Sequence, residues 1–430
     1  GHVVTMTLTS AIGLMALFLV DFADLFFLSL LGKTEITAAI GFAGMIAFSS
    51  LSVSIGIGIA AAALVATNLG AGNTLAARRF ASSTLVISVL APALVGLCIF
   101  AFANNILAFL GARGDTLAYG AVYLRTVVFG FPLLGGAVAL SFSLRAIGDA
   151  RRAMYVTLVT AIGNAILDPV FIFGLDLSIR GAALATICAN LASFVAGMYG
   201  LYRVHGFLEA PAIAALRRDA RAIGRIAFPA TLTQLATPFS IAYITWTTAP
   251  FGDEAVAGTA IVNRLVPVAF GIIFSLSGAV GPIAGQNFGA RNHARLRETI
   301  NKAMALNAAY TISVAFILWL LADLIPQWFL AKGEARTLVT FFCTWLSASW
   351  CFTGAQFVAQ AAFNNLGKPL WSTMFNWGRA TFGTIPFVYL GARQWGPEGI
   401  MAGYAAGAVA SGLIAAVFVY RLIDNIEKNG

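Results

Sequence analysis

Twelve apolar runs separated by short polar turns account for most of the chain: 3–31, 36–66, 80–110, 118–145, 152–175, 180–203, 223–250, 256–284, 300–330, 336–364, 370–392 and 398–421. About twenty apolar residues at roughly 1.5 Å rise cross the hydrocarbon core of a bilayer, so each run predicts a transmembrane helix. Several runs exceed that minimum, which predicts tilt or bending. Pro132, Pro238, Pro267 and the Gly56/Gly58 pair offer places for bends. The pattern predicts an all-α polytopic membrane protein.

The polar turns repeat. TNLGAGNTLAARR at 67–79 pairs with QNFGARNHARLRE at 286–298, setting Asn68 and Asn287 219 positions apart. RAIGDARRAM at 145–154 pairs with NNLGKPLWSTM at 364–374, and Gly148 lies 219 positions before Gly367. The run at 181–203 answers the run at 399–421 with an offset of 218. Three matches at nearly one offset predict two pseudo-symmetric six-helix lobes, 1–203 and 225–430, in the same orientation. The segment 204–224 between them reads as a basic, helix-prone linker. Parallel halves of this kind are a transporter architecture, with the substrate held between or within them.

Composition agrees with the pattern. Hydrophobic residues make up 60% and charged residues 10% of 430, against about 25% charged in soluble domains. The formal charge of +9 is topological in origin rather than a nucleic-acid footprint. Loops after even-numbered runs, with the C-terminal tail, hold seventeen Lys and Arg, and loops after odd-numbered runs hold six. That asymmetry predicts a multi-pass protein with both termini cytoplasmic, and the membrane expected is a bacterial or archaeal inner membrane. No positively charged leader precedes the first run, so no cleavable signal is expected. The four cysteines lack paired spacing and read as small core residues, giving neither a disulfide framework nor a metal site. Arg125, Arg264 and Arg379 fall inside runs. Snorkelling to the interface is the plain expectation for them, with Arg264 the best placed to line a cavity.

Carboxylates inside spans carry the candidate chemistry. An ionisable group near the bilayer centre costs roughly 2.5–3.5 kcal/mol on insertion scales and marks function by default. Asp21 and Asp24, three apart, share a face of the first helix, and Asp168 stands in the fifth with Asn164 one turn before it. Thr186 falls in the sixth. The second half offers no central carboxylate, with Gln234 and Gln356 the nearest polar residues in mid-span. Burial and mutual repulsion raise carboxylate pKa values, which suits a proton switch. Carboxylates with Asn and Thr oxygens equally make a hard-oxygen cage for Na⁺. Phe22, Phe129, Phe131, Phe142 and Phe171 are candidates for an aromatic cavity wall suited to flat cations, together with Arg264.

DLFFLSLLG from Asp24, NLGAGN at 68–73, RAIGDARRAM, NAILDP and GAALAT together resemble the multidrug and toxic compound extrusion (MATE) transporters over all twelve runs. The resemblance implies that Asp24 is the first-helix aspartate and that Asn164, Asp168 and Thr186 belong to a cation network, with Asp21 an extra acid. It implies exchange of cationic or amphipathic drugs for H⁺ or Na⁺, no cofactor and no enzymatic activity. The expected partners are these drugs, the coupling ion and membrane lipid, with no nucleic acid, and the protein is expected to act as a monomer. Family members often carry a proline early in the first helix; Thr7 to Gly13 has none, while the second half has Pro229. Absence of second-lobe acids favours a DinF-like, proton-coupled member over a NorM-like, sodium-coupled one. Two alternatives stay open: a Na⁺-coupled drug antiporter, and a flippase of lipid-linked substrates.

Overall fold

The computed structural model describes residues 2–29, 34–210 and 213–429; the side chains of 1–3, 21–34, 37 and 429–430 lie outside the described set. The first helices are α1 (His2–Ser29), α2 (Thr34–Gly70), α3 (Thr74–Phe109), α4 (Gly114–Val127), α5 (Phe131–Ala146), α6 (Ala150–Pro169) and α7 (Ser178–Met198). After them come α8 (Ile213–Thr248), α9 (Asp253–Ala269), α10 (Gly271–Gly289), α11 (His293–Leu320) and α12 (Ile325–Trp328). The last four are α13 (Gly333–Phe341), α14 (Trp350–Asn365), α15 (Pro369–Ala380) and α16 (Ile385–Asn429). No strand occurs among the described residues.

Eight helical stretches of the described residues are long and apolar enough to span a membrane, and the bent pair α9 and α10 makes a ninth. The twelve predicted spans are completed by α1, by α8 and by the break inside the stretch Pro369–Lys428 at Trp395 and Gly396. By internal packing the chain forms two compact units, one of 12–231 and one of 232–430 with 1–11. The linker and the seventh span are one continuous helix, α8.

The repeat extends to single backbone angles. Asn68 donates from Nδ2 to the Leu64 carbonyl at 2.8 Å, and Asn287 does the same to Ile283 at 2.9 Å. Asn73 caps α3 by accepting from Ala76 N, and Asn292 caps α11 by accepting from Arg295 N. Each satisfies an orphan amide of a helix start. Gly148 and Gly367 both adopt left-handed angles, φ +92° and +76°, where a helix must stop and turn. The pairing holds even where glycine is lost: Gly72 and Gly111 at positive φ are answered by Arg291 and Leu330. A short 3₁₀ turn breaks the fourth span at Val128–Gly130, and its counterpart Ser347–Ser349 breaks the tenth.

Bends fall where proline reaches a break. Pro132 opens α5 directly after the 3₁₀ turn, and Pro267 lies one turn before Phe270, where α9 and α10 meet at 48°. Gly56 and Gly58, expected to bend α2, leave it unbroken and instead admit close neighbours. A Cβ on Gly56 would lie 2.8 Å from the Ala227 carbonyl, and one on Gly58 would lie 2.8 Å from the Phe142 ring. Small residues at helix contacts are the expected packing device where lipid supplies no hydrophobic drive between helices.

Candidate functional site

In the first half, α6 ends on Pro169 and the chain widens into a π-helical turn over Val170–Gly174. Proline removes an amide donor, and such turns recur at functional positions. Asp168 stands just before Pro169 at the entrance to this turn and is 2% exposed. Asn164 lies one turn back on the same face, its Oδ1 buried with no hydrogen-bond partner among the described residues. A Cβ on Gly163 would come within 3.1 Å of the Ala189 Cβ, so α6 and α7 run close here. Thr186, three residues before Ala189, therefore lies on the α6-facing side of α7, and its hydroxyl donates to the Ala182 carbonyl at 3.0 Å. The structure thus brings Asn164, Asp168 and Thr186 to one helix pair. Asp21, Phe22 and Asp24 belong to α1, and their side chains lie outside the described residues.

The candidate aromatic wall is dispersed. Phe131 packs in a core with Ile99, Leu124 and Val128. Phe142 belongs to a separate core beside Leu140 and Leu144, and the Arg145 guanidinium sits 5.4 Å from its ring centroid. Phe129 is exposed and meets Phe100 edge-on at 5.9 Å, while Phe171 is half-buried within the π-helical turn. Arg264 is exposed on α9.

Among the described residues three charged side chains are buried: Asp168, Asp219 and Arg379. Asp219, in the linker part of α8, accepts from Arg79 Nε at 3.0 and 3.2 Å and from Ser83 Oγ at 2.9 Å. Arg379 corrects the snorkelling expectation, being 3% exposed in the last turn of α15. Its Nη1 donates to Tyr404 Oη at 3.1 Å and its Nη2 to Asn376 Oδ1 at 3.4 Å. Its Nε is buried and has no partner among the described residues. Asn376 is held in turn by donating to the Thr233 carbonyl at 2.6 Å. The readable signal was the spacing Ser372, Asn376, Arg379, which puts three polar groups on one face of α15.

Ion pairs tie down the helix ends at the polar turns. Asp149 caps α6, accepting from Arg152 N at 3.0 Å, and its other oxygen meets Arg152 Nη1 at 2.5 Å and His205 Nε2 at 2.7 Å. Partial burial pushes this carboxyl up, but the Arg152 amide, His205 and the Arg152 guanidinium together hold it below the usual aspartate range. In the second half Arg297 bridges Asp424 and Glu427 in the tail of α16. These hydrogen bonds raise the Arg297 pKa and lower that of Glu427.

Repeated six-helix halves, each closing its fifth and sixth helices around polar groups, define a polytopic membrane protein of the secondary-transporter class. The MatE family profile matches residues 10–170 and again 229–390, and the chain belongs to that family. The two matches begin at 10 and 229, the same 219-residue offset that the turns show. Proteins of this family are transporters and not enzymes. The chain is 26% identical over 428 residues to a FAD transporter of Shewanella oneidensis, covering 98% of this chain and 94% of that one. It is 25% identical over 378 residues to the multidrug export protein MepA of Staphylococcus aureus, covering 86% and 82%. Its fold matches a variant of the Vibrio cholerae MATE transporter VcmN with a TM-score of 0.95 at 24% identity, covering 99% and 97%.

Proposed function

We propose that the protein is a secondary antiporter that exports cationic or amphipathic compounds in exchange for protons taken up by first-half aspartates. The observation that carries the reading is Asp168, a buried carboxylate at the π-helical end of α6 beside Asn164. No second-half carboxylate is buried among the described residues, which supports assigning the acid chemistry to the first half. In this reading Asp24 and Asp168 take protons from the outer side, lose their attraction for a cationic substrate and let the first helix repack. The protons leave after the return inward. The energy scale fits: each pKa unit between facing states is about 1.36 kcal/mol, and 100 mV supplies about 2.3 kcal/mol per charge. DinF-like proton coupling, an inner-membrane location and cytoplasmic termini belong to the same proposal.

Efflux of ethidium from reconstituted vesicles, under a pH gradient or a Na⁺ gradient imposed separately, tests it. Transport on the pH gradient alone, lost in Asp168→Asn and Asp24→Asn, is the expected result. Transport on Na⁺ alone overturns proton coupling and recasts Asp24, Asn164, Asp168 and Thr186 as a cation cage. A second reading, export of a flavin dinucleotide, draws on the Shewanella relative, which matches nearly the full chain. Flavin fluorescence in the same vesicles separates the two.

A further inference from the structure

We propose that the second half carries an oxyanion site centred on Arg379, which takes the carboxylate or phosphate group of a small molecule. Arginine keeps its charge at every accessible pH, so burial cannot be relieved by losing the proton. Stripping water from one ion costs several kcal/mol even after the protein relaxes. Two partners are in place, Tyr404 Oη at 3.1 Å and Asn376 Oδ1 at 3.4 Å, and both are neutral. The C-terminal end of α15 adds a favourable half-dipole, which falls short of that cost. No salt bridge to Arg379 occurs among the described residues. The side chain therefore has unused charge and an unused donor, Nε, both away from solvent.

Its surroundings are polar. Ser372 and Asn376 share the buried face of α15 with Arg379, and Ser372 Oγ has no partner among the described residues. On α14, Gln356, Gln360 and Asn364 recur every four residues and all are buried. Gln356 Nε2 donates to the Phe375 carbonyl at 3.2 Å, which joins this stripe to α15 one turn from Arg379. Gln360 Nε2 also lacks a partner among the described residues, adding a second free donor to the stripe.

The repeat gives an independent argument. At the offset of 219, Arg379 falls on Thr160, and at 218, Tyr404 falls on Thr186. The pair Arg379 and Tyr404 thus occupies, in the second half, the positions of Thr160, one to two turns before Asn164 and Asp168 on the fifth helix, and of Thr186 on the sixth. One architecture holds a carboxylate in one copy and a guanidinium in the other. A guanidinium's fork matches the two oxygens of a carboxylate or phosphate, which is the ligand class it selects.

The test is the thermal midpoint of the full chain in phosphatidylcholine nanodiscs, titrated with benzoate, phenyl phosphate and inorganic phosphate. A saturable rise in wild type, absent in Arg379→Gln and at least ten-fold weaker in Arg379→Lys, is expected. Equal rises with phenyl and inorganic phosphate identify a free anion as the occupant, and a rise on adding phosphatidylglycerol identifies a lipid headgroup; each keeps the oxyanion site. No saturable rise in wild type with any probe overturns the proposal. So does an unchanged affinity in Arg379→Lys, the variant that keeps the charge should Arg379→Gln fail to fold.

Discussion

At the end of the fifth helix of the first half stands Asp168, and the corresponding helix of the second half carries Arg379. Around these two residues the halves share their local devices, although α2 runs unbroken where its counterpart is the bent pair α9 and α10. They share capping asparagines, left-handed turns and a 3₁₀ break at matched positions. The difference teaches that the repeat conserves what closes helices and leaves free what faces the interior. Turn residues answer to backbone geometry, which both copies must satisfy. Interior polar residues answer only to what they bind.

The largest effect that could break this comparison is on transport. Asp168→Asn keeps the shape and one acceptor oxygen but removes the titratable group, and gradient-driven efflux should fall at least ten-fold; wild-type rates would remove Asp168 from the coupling machinery. Next is the linker. Asp219→Asn leaves Arg79 and Ser83 with a weaker acceptor in a buried position, so about 1–3 kcal/mol of stability should be lost. A thermal midpoint within error of wild type would show that the linker is held by its apolar contacts through Ile223 and Ala227 alone.

Smaller effects sharpen the likeness of the turns. Gly148→Ala and Gly367→Ala both force a Cβ into left-handed backbone, at roughly 1–2 kcal/mol each. Their midpoints should drop by similar amounts, and a large inequality would mean that the two turns carry different loads. The smallest effect concerns pH. Asp149 has a lower pKa folded than unfolded, so its contribution is complete above the ordinary aspartate range and is lost as pH falls through the lowered folded value. The midpoint gap between wild type and Asp149→Asn should accordingly close on acidification. A gap that persists at low pH would assign the cap's worth to packing.

Much of this molecule was legible without coordinates. Apolar runs set twelve helices because lipid leaves a chain no other partner for its amides. The matched turns gave the repeat, since asparagine caps and left-handed glycines are local devices that look the same wherever they are used. Asn164, Asp168 and Thr186 could be picked out because polar groups in apolar runs are conspicuous. The close approach of α6 and α7 beside them was not, because it rests on Gly163 meeting Ala189. The role of Gly56 was misread for the same reason: a glycine in a helix looks like a hinge until the neighbour at its α-carbon is known.

Arg379 marks the limit most clearly. An arginine several residues from a helix end snorkels if water lies within reach of its stem, and the sequence around it says nothing about that distance. Its burial was decided by Tyr404 on the following helix and by Asn376, itself fixed through Thr233 on α8. Sequence by itself determined the helices, their turns and their duplication, because those follow from interactions within a few residues. Only the tertiary structure decided which charges are enclosed, because enclosure depends on side chains brought together from distant parts of the chain.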